Sequence, residues 1–346
     1  MQGTYLKVSQ LSRESNFELL RLISQYYIVF YHILLLFVYP TTGIILYKAL
    51  WLPLHVGVVI FVLISGFFTI KPSSKGLWKL LAVFFIYSLP EVTYNISHAN
   101  NHKEIVKSLF ILSNTHFWFI KTYIFLYLLS PLTNYYFEKA TMRQKCYMLF
   151  ALAFVAQYMA LTNGDINMKD GKNVINFIFI YFVGHMLSQY KDKWKEFSFY
   201  PIVIFYIILN CLIIYLYIKF YNSTLGYYIW DFFFPYSSPG LLLNSILVFI
   251  LIGKMSLKSK LINYTAASSL AIYLIHANRP YLVGLLGKCS IFITNQTIDR
   301  TFLMIIILGL LSLVTIIVCI FIDKMLTPLW NKINIIGINI YNKLGY

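Results

Sequence analysis

The sequence predicts an all-α fold: a polytopic integral membrane helix bundle of about ten transmembrane helices with both termini cytoplasmic, each crossing taking roughly 20 apolar residues. Three observations predict it. Of 346 residues 59% are hydrophobic and 12% charged, with mean hydropathy +0.70, so a soluble domain would lack the polar cover its surface needs. Apolar runs of crossing length recur along the whole chain. Basic residues, 28 against 12 acidic ones, gather at alternate ends of those runs. The joining loops are short, so residues 1–346 read as one integral membrane domain.

The runs, in order, are 17–39, 50–70, 77–95, 117–137, 146–162, 173–190, 199–220, 241–257, 261–285 and 302–326. Residues before Leu19 are polar and the run after it is as long as a span, so the first helix serves as its own insertion signal and no cleaved leader is expected. Several later runs are interrupted by a polar residue or proline, as at Pro90 and Glu91 near the end of the third. The division between 241–257 and 261–285 is the least marked. After the tenth run, Trp330, Ile333, Ile335, Ile336 and Ile338 sit among Lys332, Asn334 and Lys343, so 327–346 reads as a short interfacial cytoplasmic tail. There is no internal repeat and no low-complexity linker.

A net charge of +16 would suggest nucleic acid in a soluble protein, so the placement of the charges decides. With the N-terminus inside, each inner segment carries three basic residues, such as Lys71, Lys75 and Lys79 after the second run and Lys254, Lys258 and Lys260 after the eighth. That is the positive-inside pattern, and nucleic-acid binding is not expected. Cys146, Cys211, Cys289 and Cys319 lie in or beside spans without disulfide or metal spacing and read as small apolar residues. The seven histidines are scattered along the chain, and no metal site is expected. There is also no glycine-rich phosphate cradle.

The first run carries a polar stripe. Taking Arg21 as zero and about 100° per residue, Glu14 and His32 fall at about 20°, Gln25 at about 40° and Glu18 at about 60°. Lipid cannot be what that stripe faces, and ionisable groups inside a span mark functional paths. Arg21 and His32 are about 16 Å apart along the axis, so with Arg21 at the cytoplasmic interface His32 lies near mid-membrane. The spacing suits a long anionic donor such as a coenzyme A thioester, its phosphates near Arg21 and the inner lysines and its acyl carbon near His32. A neutral imidazole there can take a proton from a hydroxyl or attack the thioester itself. The plainer alternative is that His32 bonds another helix and Arg21 snorkels to the interface.

The stretch Arg13-Glu14-Ser15-Asn16-Phe17-Glu18-Leu19-Leu20-Arg21, running on through ten residues to His32, resembles the opening of the membrane acyltransferases called acyltransferase family 3, which modify bacterial surface glycans. The likeness continues at Phe61-Val62-Leu63-Ile64-Ser65-Gly66-Phe67-Phe68, at His116-Phe117-Trp118-Phe119, at Leu126-Tyr127-Leu128-Leu129-Ser130-Pro131-Leu132 and at Ile272-Tyr273-Leu274-Ile275-His276. It covers nearly the whole chain. One departure stands out. Many members carry an Arg-x-x-Arg pair after the second span, whereas this loop reads Lys71-Pro72-Ser73-Ser74-Lys75, and lysines hold phosphate without the bidentate arginine fork.

The resemblance implies transfer of an acyl group, commonly acetyl, from acetyl-coenzyme A to a hydroxyl of an exported glycan or lipid-linked glycan at the bacterial cytoplasmic membrane. Acetyl-coenzyme A would be a substrate, with no permanently bound cofactor. Arg21 and His32 match the family's functional pair, with His32 either general base or transient acyl carrier. Ser65, Lys71 and Lys75 are the further donor-side candidates, although Ser65 and Gly66 also suit close helix packing. Toward the outer side lie His55, Glu91, His116, Asp231 and His276. Glu91 is a candidate to orient His32 or bind a sugar hydroxyl, or it simply faces water. His116, Trp118 and His276 are acceptor-binding candidates, with an aromatic belt and helix packing as the structural alternatives. A transporter of a glycan or lipid-linked sugar is the competing reading, for which the polar stripe would be a permeation path, and a glycan polymerase is a third.

Overall fold

The computed structural model describes residues 14–35, 44–111, 117–162, 170–278, 280–297, 301–333 and 335. Among them the regular structure is all helical. In chain order the helices are α1 (Ser15–Ile33), α2 (Ile44–Phe67), α3 (Ser74–Ser97), α4 (His102–Leu109), α5 (Trp118–Lys139), α6 (Met142–Ala153), α7 (Val174–Gln189) and α8 (Lys191–Glu196). They continue with α9 (Phe199–Phe220), α10 (Thr224–Phe233), α11 (Pro239–Gly253), α12 (Lys260–Ala266), α13 (Ser269–His276), α14 (Gly287–Thr297) and α15 (Thr301–Met325). Among the described residues five stretches are long and apolar enough to cross a membrane: Leu50–Phe67, Ser74–Ser97, Met142–Thr162, Phe199–Phe220 and Phe302–Met325. Helices α7 and α11 are apolar but shorter, at 16 and 15 residues.

Helix α2 is the centre of the bundle and packs on α1, α7, α9 and α11. Its contact with α7 is close because two glycines meet there. A Cβ on Gly66 would collide with the carbonyl of Tyr181, and one on Gly184 with the carbonyl of Leu63. In hydrocarbon, backbone proximity of this kind supplies the dispersion and polar contacts that water-driven burial supplies elsewhere. Two apolar clusters flank the first helix. Phe17, Leu20 and Ile28 join α2, α7 and α11 on one side. Val29, Phe30, Ile33 and Leu34 join α3, α13 and α15 on the other. The polar stripe of α1 therefore runs along a seam between two packed bodies.

Two expectations change. Run 261–285 is not one helix: it breaks after Ala266 and again after His276. Ser269 Oγ donates to the Ala266 carbonyl at 2.6 Å and so closes the first break. At the second, Pro280 lacks an N–H and disfavours helical backbone just before it, and Pro280–Leu286 resumes as a π-helical turn. The stretch around Asp231, which falls between the seventh and eighth runs and so among the expected joining loops, is helical from Thr224 through Phe233 in α10. Of the tail, residues 327–333 continue as helix, with Trp330 packed on Tyr87 at 5.3 Å. Residue 334 and residues 336–346 lie outside the described residues, as does His116.

Candidate active site

The stripe of α1 meets the segment 259–276 at a constant offset. Ser259 N donates to Ser15 Oγ at 2.9 Å, Gln25 Nε2 to the Ser269 carbonyl at 2.8 Å, and His32 Nδ1 lies 3.0 Å from His276 Nε2, each pair 244 residues apart in the chain. Two segments paired at constant offset run parallel. The match also explains the faces. Gln25 and His32 are seven apart on α1, as Ser269 and His276 are on α13, and seven residues is close to two helical turns.

The histidine pair has a defined proton order. His276 is fully buried, and its Nδ1 lies 2.6 Å from the Ile272 carbonyl, an atom that can only accept. In the neutral ring Nδ1 therefore carries the proton and Nε2 the lone pair. His32 Nδ1 must then be the donor to His276 Nε2, which puts the lone pair of neutral His32 on its own Nε2. That is the tautomer a general base or a nucleophile requires. The ring planes are tilted by 34° with centroids 5.2 Å apart, an edge approach suited to an in-plane hydrogen bond.

Three cavities that share walls lead to this pair. The largest, about 420 Å³, is lined by Lys79, Tyr127, Asp323, Lys324 and Trp330 among others. Through Leu80, Tyr123 and Leu270 it adjoins a second of about 320 Å³ that holds Glu18, Arg21 and Ser65. Through Gln25, Phe61, Phe119 and Tyr273 the second adjoins a third of only about 20 Å³, bounded by His32, Trp118 and Tyr236. The series is wide and basic at one end and narrow, aromatic and histidine-bearing at the other. Arg21 forms an ion pair with buried Glu18, and Ser65 Oγ shares a hydrogen bond with Tyr123 OH at 3.1 Å.

The candidates from the sequence separate accordingly. Arg21, Ser65, Trp118 and His32 line the cavity series. Gly66, next to Ser65, belongs to the helix crossing instead. Lys71 and Lys75 are exposed and lie outside the linings, whereas Lys79 and Lys324 hold the wide mouth. Lys71 sits in the turn before α3 and Lys75 at its start, so a further helical turn is needed to bring Lys79 to the opening. His276, placed with the acceptor candidates, bonds His32 itself and makes the orienting contact expected of Glu91. Glu91 is fully buried in α3. His55, deep in α2, donates from Nδ1 to the Phe234 carbonyl at 2.9 Å, its ring against Tyr31 at 4.4 Å and Tyr236 at 5.0 Å. Lys324 and the His32–His276 bond were missed as site features. The family-like segment ending at His276 was a signal for the second, but no pattern along one chain pairs residues so far apart.

The acyltransferase domain family matches residues 14–324. No curated protein and no solved structure matches the chain.

Proposed function

The chain belongs to acyltransferase family 3 and is a membrane acyltransferase, and on that premise we propose that it moves an acetyl group from cytoplasmic acetyl-coenzyme A to a hydroxyl of an exported glycan in a bacterial cytoplasmic membrane. One observation carries the reading: an oriented histidine pair stands at the narrow end of a cavity series whose wide end is basic. The nucleotide of the donor would lie at Lys79 and Lys324, its phosphates toward Arg21, and its thioester arm would run past Ser65 and Gln25 to His32. Trp118 and Tyr236, with ring centroids 5.2 Å apart, would give the acceptor sugar an apolar wall.

In this reaction His32 Nε2 takes the proton of the acceptor hydroxyl while the oxygen attacks the thioester carbon. The carbon–sulfur bond breaks, and the thiolate leaves with the proton that His32 returns. His276 accepts from His32 Nδ1 and stabilises the imidazolium that forms between the two steps. The same lone pair would serve a carrier route, in which Nε2 takes the acyl group first and water or the wrong acceptor must be kept out until the sugar arrives. The transport reading has no observation in its favour.

The test is coenzyme A release by the full chain in lipid nanodiscs, supplied with acetyl-coenzyme A and a mixture of bacterial glycans. Release should depend on acceptor and vanish in His32→Ala. Release that persists in His32→Ala would overturn the mechanism, and glycan movement between vesicle faces without a thioester would overturn the reaction class.

A further inference from the structure

Gln25 lies on α1 between the two residues of the proposed site, about 6 Å along the axis from Arg21 and about 10 Å from His32. It is 3% exposed. Its amide orientation is settled by Ser269, whose carbonyl can only accept, so Nε2 faces that carbonyl and Oε1 points elsewhere. Among the described residues Oε1 is then a buried acceptor with no hydrogen-bond partner. A buried acceptor left unpaired is unfavourable and in a native protein calls for a partner. The other wall residues common to the middle and upper cavities are Phe61, Phe119 and Tyr273. Gln25 is the amide at an otherwise aromatic junction.

We propose that Gln25 Oε1 accepts a hydrogen bond from an amide N–H of the donor's arm as that arm passes the junction. The inference rests on the acyl-coenzyme A reading and adds to it a positioning residue. A coenzyme A thioester carries two secondary amides between its phosphates and its sulfur, and each brings an N–H into a passage where water cannot easily follow. The aromatic rings hold the methylene segments but do not offer that donor a carbonyl acceptor such as Gln25 Oε1. Bonding at Gln25 fixes how far the arm advances and so where the thioester carbon stops relative to His32. The carbonyl of Ser269 takes part indirectly, since it holds the Gln25 amide in the required orientation.

The experiment measures binding, so it needs no glycan. The full chain in nanodiscs is titrated with S-acetonyl-coenzyme A, a non-transferable ketone analogue with the complete arm, and with adenosine 3′,5′-bisphosphate, which has the nucleotide but no arm. Wild type should bind both. Gln25→Met, close in shape and without an acceptor oxygen, should weaken the analogue about tenfold and leave the bisphosphate unchanged. Equal weakening of both ligands by Gln25→Met would assign Gln25 to packing and overturn the proposal, as would no weakening of either. If wild type bound neither ligand, the donor reading itself would fall.

Discussion

Helices α1 and α9 are similar in length, 19 and 22 residues, and differ in what they bury. α1 hides Ser15, Asn16, Glu18, Ser24 and Gln25. α9 buries only Asn210, Ile213 and Tyr217, and leaves Ile204, Phe205, Ile207, Ile208 and Leu212 exposed. In water the assignment would be the reverse. Surrounded by hydrocarbon, an apolar side chain gains little by leaving the surface, whereas a polar one must find a partner inside, so a polar face holds its helix in the core while an apolar helix can lie at the centre, as α2 does, or at the periphery, as α9 does. Asn210 shows the rule within α9 itself, since its amide donates to Asn244 Oδ1 at 2.9 Å on α11. Helix α1 thus lines the cavities with its polar stripe, whereas α9 turns apolar side chains outward.

The comparison can be sharpened by substitution. The largest effect should come from His32→Ala, which removes a proton-transfer group worth about 10²–10⁴ in rate while abundance and thermal unfolding stay near wild type. Acceptor-dependent coenzyme A release with fluorescence-detected size exclusion reads both. Gly66→Leu should act oppositely. It forces a side chain into the Tyr181 backbone, costs about 3 kcal/mol or more of packing, and lowers the yield of monodisperse protein before any assay of activity.

His276→Phe keeps the ring shape but removes the acceptor for His32 Nδ1. It should lower kcat about 10²-fold with little change in the donor KM, and should move the acid limb of the pH–rate profile, which a purely packing role would not do. Replacing Lys79 and Lys324 together by alanine should raise the donor KM about fivefold at low ionic strength, the difference shrinking with added salt. The smallest effect belongs to α9. Ile208→Leu, at a position 59% exposed, should change neither stability nor turnover measurably. A large loss there would mean that this face meets protein rather than lipid.

Periodicity and length carry far in this sequence because a transmembrane helix satisfies its backbone internally. Run 199–220 coincides with α9, and 173–190 falls within one residue of α7 at each end. Where a run carries its own breakers the pattern was harder to read. Ser268, Ser269 and Pro280 are local signals that divide 261–285, but average hydropathy across the run conceals them. The site was half legible. Arg21, Gln25 and His32 share a face at intervals that any helical projection shows, and the family-like opening marks two of them. Of the lysines after the second run, Lys71 and Lys75 precede the wide cavity, and Lys79, a helical turn further on, lines it.

By itself the sequence determined that this is a membrane helix bundle, that it belongs with the acyltransferases, and that one face of its first helix is polar. Each rests on neighbouring residues: composition, the order of short motifs, and a repeat of about 3.6 residues per turn. What that face meets was decided only in three dimensions. His32 finds its proton acceptor 244 residues away because α13 lies parallel to α1 and in register with it. That register depends on where the ninth run breaks and on how two packed bodies close against the same helix, and helical periodicity contains neither.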